Sequence, residues 1–420
     1  MKKVLIILLA ATFGMAGNAM AFHDGGVANC EGCHTMHNSQ DGAQNAVNGA
    51  GTIGNGPSKF LTKGSDPSST CLNCHKGTPG GYHILTDGTG YAVTKSPGGD
   101  FFWLKSTTHY TGEHGFNSMA DNHGHNVIAA DYSLGQDGTL TTGPSDGTKA
   151  YAAADLGCNS CHDPHGKVGT GTGATRENSF AIEGSGSKNA ELQGVSAGNY
   201  VLLGDAGYDG GQQATWGTTF DAAAPIAQTN RKLQTTDHAD YLSGMSEWCA
   251  NCHTGFAQAT ADVTGGSLTG LTGGTAHTHP AGAGATLTNV ADFYNKYQAT
   301  GEFAASAADS YDILVPFERA SGTAADLDTA STTGPAATDQ VMCLSCHHAH
   351  ASGFNNIGRW DFEASLLAES PIFITANGGL GEAAGKAAYY DMLDSSDAGV
   401  WVSGYNAEQR SLCNKCHLQD

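Results

Sequence analysis

Six copies of the pattern Cys-x-x-Cys-His account for all twelve cysteines of this 420-residue chain. They are Cys30, Cys33 and His34; Cys71, Cys74 and His75; Cys158, Cys161 and His162; Cys249, Cys252 and His253; Cys343, Cys346 and His347; and Cys413, Cys416 and His417. This spacing is the attachment pattern of c-type haem, in which two thiols add to the vinyl groups of one porphyrin and the adjoining imidazole reaches the iron. The chain is therefore expected to carry six haem c groups, iron protoporphyrin IX held by thioether links. A structural zinc site also uses Cys-x-x-Cys, but in pairs that together supply four ligands. A thioredoxin-like redox motif would occur once, near a βαβ pattern. A disulfide framework suits an exported protein, yet makes no demand for histidine. Histidine fills only 19 of 420 positions, so its place after all six second cysteines excludes coincidence.

The N-terminus reads as an export signal. Lys2 and Lys3 form a positive start, Val4 to Ala16 an apolar stretch, and Ala19-Met20-Ala21 a small-x-small cleavage site before Phe22. Residues 1–21 are thus expected to be removed, leaving 22–420 as a single multihaem domain. The apolar stretch is short for a membrane span, and no later segment has the continuous apolar length one needs. Haem attachment to such motifs takes place outside the cytoplasmic membrane, in agreement with export.

Composition predicts little regular structure. Glycine supplies 59 residues and charged side chains only 14%, a balance poor in the periodic apolar faces that build an ordinary core. Six porphyrins are large apolar bodies around which such a chain can wrap. The expected fold is mostly irregular coil with sparse short α-helices and few strands, wrapped around a continuous chain of haems. Helices are predicted over Thr288–Tyr297, with Val290, Phe293, Tyr294 and Tyr297 on one face, and over Asp361–Ala368, Glu382–Leu393 and Glu408–His417. A small hairpin is predicted near Tyr200–Gly207, and the remaining motifs on short helical turns. The intervals between motifs follow no fixed period, which argues against a solenoid.

Beyond the six motif histidines, the chain has more imidazoles than six irons need for a second axial ligand. The methionines Met36, Met119, Met245, Met342 and Met392 offer the alternative of His/Met coordination, but abundant histidine favours bis-His throughout. Three motifs extend to Cys-His-x-x-His, adding His37, His165 and His350. A histidine three residues after the proximal one leaves the helical turn on nearly the same side. It cannot reach the opposite face of the same iron, so each of these three is expected to serve a different haem. Such cross-ligation would draw porphyrins together. His109, His114, His238, His277 and His348 have no local feature that favours ligation.

Several blocks resemble one known family. Phe22-His23 with Gly25-Gly26-Val27, CEGCHTMHNS from Cys30, Tyr82-His83-Ile84 and Pro97-Gly98-Gly99-Asp100 carry the likeness in the first part of the chain. Gly124-His125-Asn126-Val127, CHDPHGK from Cys161, GMSEWCANCHT from Gly244 and His279-Pro280-Ala281-Gly282 carry it onward. CLSCHHAHASGF from Cys343 and QRSLCNKCH from Gln409 complete it. The chain resembles the OmcS-type extracellular hexahaem cytochromes of iron-reducing bacteria, which polymerise into conductive filaments. The loops around Val168–Asn230 and Ala304–Asp339 differ from that pattern. The resemblance implies bis-His haems throughout, a head-to-tail homopolymer at the cell surface after transient passage through the periplasm, and a part in dissimilatory metal reduction. It implies that His37 completes the haem at the fifth motif, beside His347, in the adjacent subunit. It also implies that the remaining distal ligands come from His23, His83, His125, His165, His279 and His350, six candidates for five irons.

A multihaem reductase would need an iron with an open position, and nothing in the sequence asks for one. The expected role is an electron conduit rather than an enzyme, with other outer-surface cytochromes and extracellular acceptors as partners. A formal charge of −21, from 19 basic and 40 acidic residues, excludes a nucleic-acid-binding role, because phosphate recognition needs a basic face.

Overall fold

Among the described residues regular structure comes in short pieces, none longer than nine residues, as the composition predicts. In the computed structural model the described residues are 30–35, 39–40, 43–44, 61–78, 83–87, 96–105, 120–143, 149–164, 203–204, 206–211, 216, 218–228, 238–254, 279–297, 310–323, 326–365 and 410–417. Six of the twelve described helical segments carry the cysteine motifs. Short α-helices span Cys30–Cys33, Pro67–His75, Cys158–Cys161 and Met245–Cys249, and 3₁₀ turns span Cys343–Ser345 and Leu412–Lys415. Further α-helices are Phe102–Lys105 and Ala291–Lys296.

Pro67–His75 is the longest of these because its start is well specified. Asp66 caps it by accepting from Ser69 N at 2.7 Å and Ser69 Oγ at 2.8 Å. Pro67 follows at the first helical position, where a missing N–H costs nothing. The helix stops at Lys76, whose extended backbone still donates to Leu72 O.

Two small sheets are described. β1 (Ser39–Gln40) pairs antiparallel with β2 (Ala43–Gln44). In the second sheet β4 (Asp240–Leu242) lies between β3 (Ala227–Gln228), antiparallel to it, and β5 (Glu318–Arg319), parallel to it. β5 matters for the site, because Glu318 Oε2 accepts from Gly244 N at 3.2 Å and Met245 N at 3.1 Å. A sheet residue thus caps the helix that ends in Cys249.

The main apolar core draws on the whole length of the chain, from Leu72 through Trp103, Tyr294, Ile313, Phe354 and Trp360 to Leu412. Burying each large member contributes about 1.5–3 kcal/mol. A second cluster holds Met245, Met342, Tyr241 and Leu344, and a third holds Tyr151, Tyr208, Trp216 and Phe220. No helix among the described residues is long and apolar enough to cross a membrane.

The irregular fold agrees with expectation, while several elements differ in detail. The helix expected over Thr288–Tyr297 is realised as Ala291–Lys296, with Tyr294 and Tyr297 buried as predicted. The described part of Asp361–Ala368, residues 361–365, does not open as a helix, because the Asp361 carboxylate accepts from Glu363 N at 3.0 Å and closes a local turn instead. Within the described part of Glu408–His417, residues 410–417, the helical structure is the 3₁₀ turn Leu412–Lys415. The expected hairpin near Tyr200–Gly207 is also absent from the described part of that range. Leu203 bridges to His162 and Gly204 N bonds Cys161 O at 2.8 Å, so this backbone pairs with a motif rather than with itself. Glu382–Leu393 lies outside the described residues.

Candidate functional site

The five-residue motifs share a local construction. In four of them the histidine amide donates to the carbonyl of the first cysteine: His162 to Cys158 at 2.9 Å, His253 to Cys249 at 3.0 Å, His347 to Cys343 at 3.1 Å and His417 to Cys413 at 2.9 Å. One turn therefore presents two thiols and an imidazole together. The described cysteines are all free thiols, which removes the disulfide reading for them. Burial pushes Cys252 up to about 11, Cys346 to about 12 and Cys416 to about 11. The Cys343 thiol is instead drawn down to about 7 by its hydrogen bond with Cys249. Two thiols presented on one turn suit addition to the two vinyl groups of a porphyrin.

Tertiary contacts bring the motifs together in chain order. The Cys71 thiol meets Cys158, linking the second motif to the third, and Cys249 meets Cys343, linking the fourth to the fifth. Cys33 lies within electrostatic reach of Cys71, Cys161 of Cys252, and Cys346 of Cys413 and Cys416. All six motifs thus form one continuous row.

Two junctions in that row are built alike. Ser68 Oγ accepts from Cys158 N at 2.9 Å, and Ser246 Oγ accepts from Cys343 N at 3.0 Å. Within the receiving motifs Ser160 Oγ accepts from Gly157 N at 2.9 Å and Ser345 Oγ from Met342 N at 3.0 Å. The second and fourth motifs read Ser-x-x-Cys-x-Asn-Cys-His, and the third and fifth Cys-x-Ser-Cys-His-x-x-His. A two-motif unit is therefore repeated. The sequence reading missed these serines, although their constant offsets from the cysteines were a usable signal.

Neighbouring loops steady individual motifs. Tyr151 OH bonds Ser160 Oγ at 2.7 Å and donates to Gly210 O at 2.9 Å, and Tyr208 OH donates to His162 O at 3.0 Å. Asn251, inside the fourth motif, accepts from Asp221 N at 2.8 Å and Ala222 N at 2.9 Å. At the sixth motif the buried Lys415 donates to Tyr297 O at 2.8 Å, lies 3.5 Å from Asp312 and sits 4.3 Å over the Tyr294 ring.

Three motif histidines face a second histidine from far along the chain. His417 Nε2 lies 3.5 Å from His279 Nε2, with ring centroids 5.8 Å apart. His253 faces His125 at 5.9 Å between ring centroids, and His162 faces His350 at 6.1 Å. His350 is thus brought to the third motif rather than to His347 beside it. The described ring contact of His347 is Phe362, at 5.4 Å. His83 bonds Thr78 O through Nδ1 at 2.7 Å. His23, His37 and His165 lie outside the described residues, as do His109, His114 and His277.

The ring tautomers are fixed by the backbone. Nδ1 of His125 bonds Ala349 O at 2.8 Å, that of His279 bonds Pro280 O at 2.9 Å, and that of His347 bonds Asn356 O at 2.7 Å. A carbonyl only accepts, so Nδ1 carries the proton and Nε2 keeps its lone pair for a metal. Burial lowers the pKa of His125, His279 and His347, and holds His350 at about 3, which keeps each imidazole neutral. The same Nδ1-to-carbonyl bond occurs at His123, on Ser352 O at 2.8 Å, and at His348, on Pro97 O at 3.0 Å. The sequence offered no reason to favour these two. Met245 and Met342 pack in an apolar cluster. The donor set of paired thiols and opposed imidazoles fits a six-coordinate haem c.

No family model matches the chain. It is 37% identical over 452 residues to the C-type cytochrome OmcS of Geobacter sulfurreducens, covering 100% of this chain and 99% of that protein. Two solved structures of filaments from that organism share the fold. The Outer Membrane Cytochrome S filament matches with a TM-score of 0.70 and 33% identity over 95% of this chain and 100% of that one. The cryo-EM structure of OmcS nanowires matches with a TM-score of 0.70 and 32% identity over the same shares.

Proposed function

Because the chain belongs to the OmcS-type c-type cytochromes, we propose that it is an extracellular electron conduit carrying six covalently attached, bis-His haem c groups. Residues 1–21 act as the export signal and 22–420 form one hexahaem domain. The 3.5 Å convergence of His279 Nε2 on His417 Nε2 carries this reading, because two imidazole nitrogens converging on one place suit a metal between them. When bound, the haems supply one-electron exchange between ferric and ferrous iron.

His34, His75, His162, His253, His347 and His417 are the proximal ligands. His350 serves the third motif, His125 the fourth and His279 the sixth, as their ring pairings support. His37 of one subunit serves the fifth motif of the next, joining subunits head to tail into a filament. His23, His83 and His165 then remain for the first two motifs, and one of them is spare. With both axial positions filled, the chain offers no substrate an open iron. It relays electrons from other outer-surface cytochromes to acceptors such as metal oxides.

Mass spectrometry of the secreted protein, with electron micrographs of sheared extracellular material, tests the proposal. Six haem additions, low-spin spectra and filaments are the expected results. Fewer additions, or a high-spin haem in the intact assembly, would overturn it in favour of a reductase.

A further inference from the structure

Arg359 is 1% exposed, in the middle of the fold and beside the fifth motif. Its Nε donates to Leu344 O at 2.6 Å and to His347 O at 3.1 Å, and its Nη1 donates to Ile313 O at 3.1 Å. Two of these acceptors belong to Cys343-Leu344-Ser345-Cys346-His347 itself. The guanidinium charge reaches Cys346, His347 and His348 electrostatically. Arginine remains ionised in such surroundings, so a permanent positive charge is held against one motif of a chain whose formal net charge is −21.

We propose that Arg359 is a positioning and potential-setting residue for the fifth haem: its fork fixes the turn that presents His347, and its charge favours the reduced form of the iron bound there. This rests on the haem reading above. Reduction lowers the positive charge of the iron centre, so a nearby buried cation stabilises the product and raises the potential. The fifth haem, at the proposed joint with the next subunit, is thereby easier to reduce than it would be without Arg359.

The experiment is a spectroelectrochemical titration of full-length holoprotein as wild type, R359Q and R359K, with low-temperature EPR of each. In R359Q one of the haems should lose about tenfold in its reduced-to-oxidised ratio at a given potential, a downward shift of about 59 mV for one electron. R359K should recover most of that shift while altering the EPR signal of that haem, since the charge returns without the planar fork. Superimposable titrations, or an equal shift in both variants, would overturn the proposal. Should neither variant yield holoprotein, wild type still decides: the haem whose EPR signal changes in His37→Ala must titrate in the upper half of the six, and a place in the lower half refutes the proposal. Wild type without six low-spin haems would instead refute the reading on which the proposal rests.

Discussion

His279 and His417, 138 residues apart in sequence, point their Nε2 atoms at each other across 3.5 Å. Each ring reaches that place by its own route. His279 is oriented by its Nδ1 bond to Pro280 O at 2.9 Å. His417 stands on the 3₁₀ turn Leu412–Lys415, which Lys415 ties to Tyr297 O at 2.8 Å. The helix Ala291–Lys296 thereby serves the sixth motif at a distance.

Replacing His279 with alanine should leave one of the haems high-spin and open to carbon monoxide. His125→Ala and His350→Ala should each do the same for a different haem, the fourth and the third. Carbon monoxide titrations followed in the Soret band, each showing one new binding site, check this. Unchanged spectra would mean that these rings are not axial ligands.

A His37→Ala chain should be secreted mostly as monomers, with the fifth haem high-spin or misligated. The negative charge of the subunits opposes their association, so loss of an iron–imidazole link between copies leaves repulsion dominant. Negative-stain micrographs and size exclusion provide the readout. Long filaments with normal spectra would count against the link.

Ser68→Ala and Ser246→Ala should behave alike, because each removes the acceptor of a part-buried amide, that of Cys158 in one case and Cys343 in the other. Each should cost about 1–3 kcal/mol. Denaturant unfolding of the holoprotein measures the loss, and similar values for the two variants would support the repeated two-motif unit.

Glu318 makes the stability depend on pH. Burial pushes its carboxyl group up to about 7 from an ordinary value of 4.5. The folded state therefore holds a proton that the unfolded chain has released between those values. The stabilisation is full below the unfolded value and is lost as pH rises through the window towards 7. Glu318→Gln should flatten that part of the pH–stability curve, measured by thermal unfolding from pH 4 to 8. An unaltered slope would show that the carboxyl group does not titrate there.

Much of the fold class was legible in the chain. Abundant glycine and sparse charge announced short irregular segments, and the apolar spacing of Tyr294 and Tyr297 located a real helix. Asp361 misled, because a side-chain turn competed successfully with a helical pattern. Leu203 and Gly204 also escaped prediction, since their hydrogen bonds go to His162 and Cys161 in a different part of the chain. Arg359 could not be singled out either. One arginine in a polar-looking stretch carries no sign that it will be buried among carbonyl oxygens.

What the sequence determined by itself was the chemistry of attachment: twelve thiols in pairs, each pair followed at once by an imidazole. Those groups lie within five residues of one another, so a single helical turn brings them together without help from the rest of the fold. The tertiary structure decided what lies across from each imidazole and how the motifs line up. Cys71 meets Cys158, Cys249 meets Cys343, and His350 turns away from its neighbour His347 to face His162. Contacts of that kind depend on loop closure over tens to hundreds of residues, and local spacing carries no record of where such loops return.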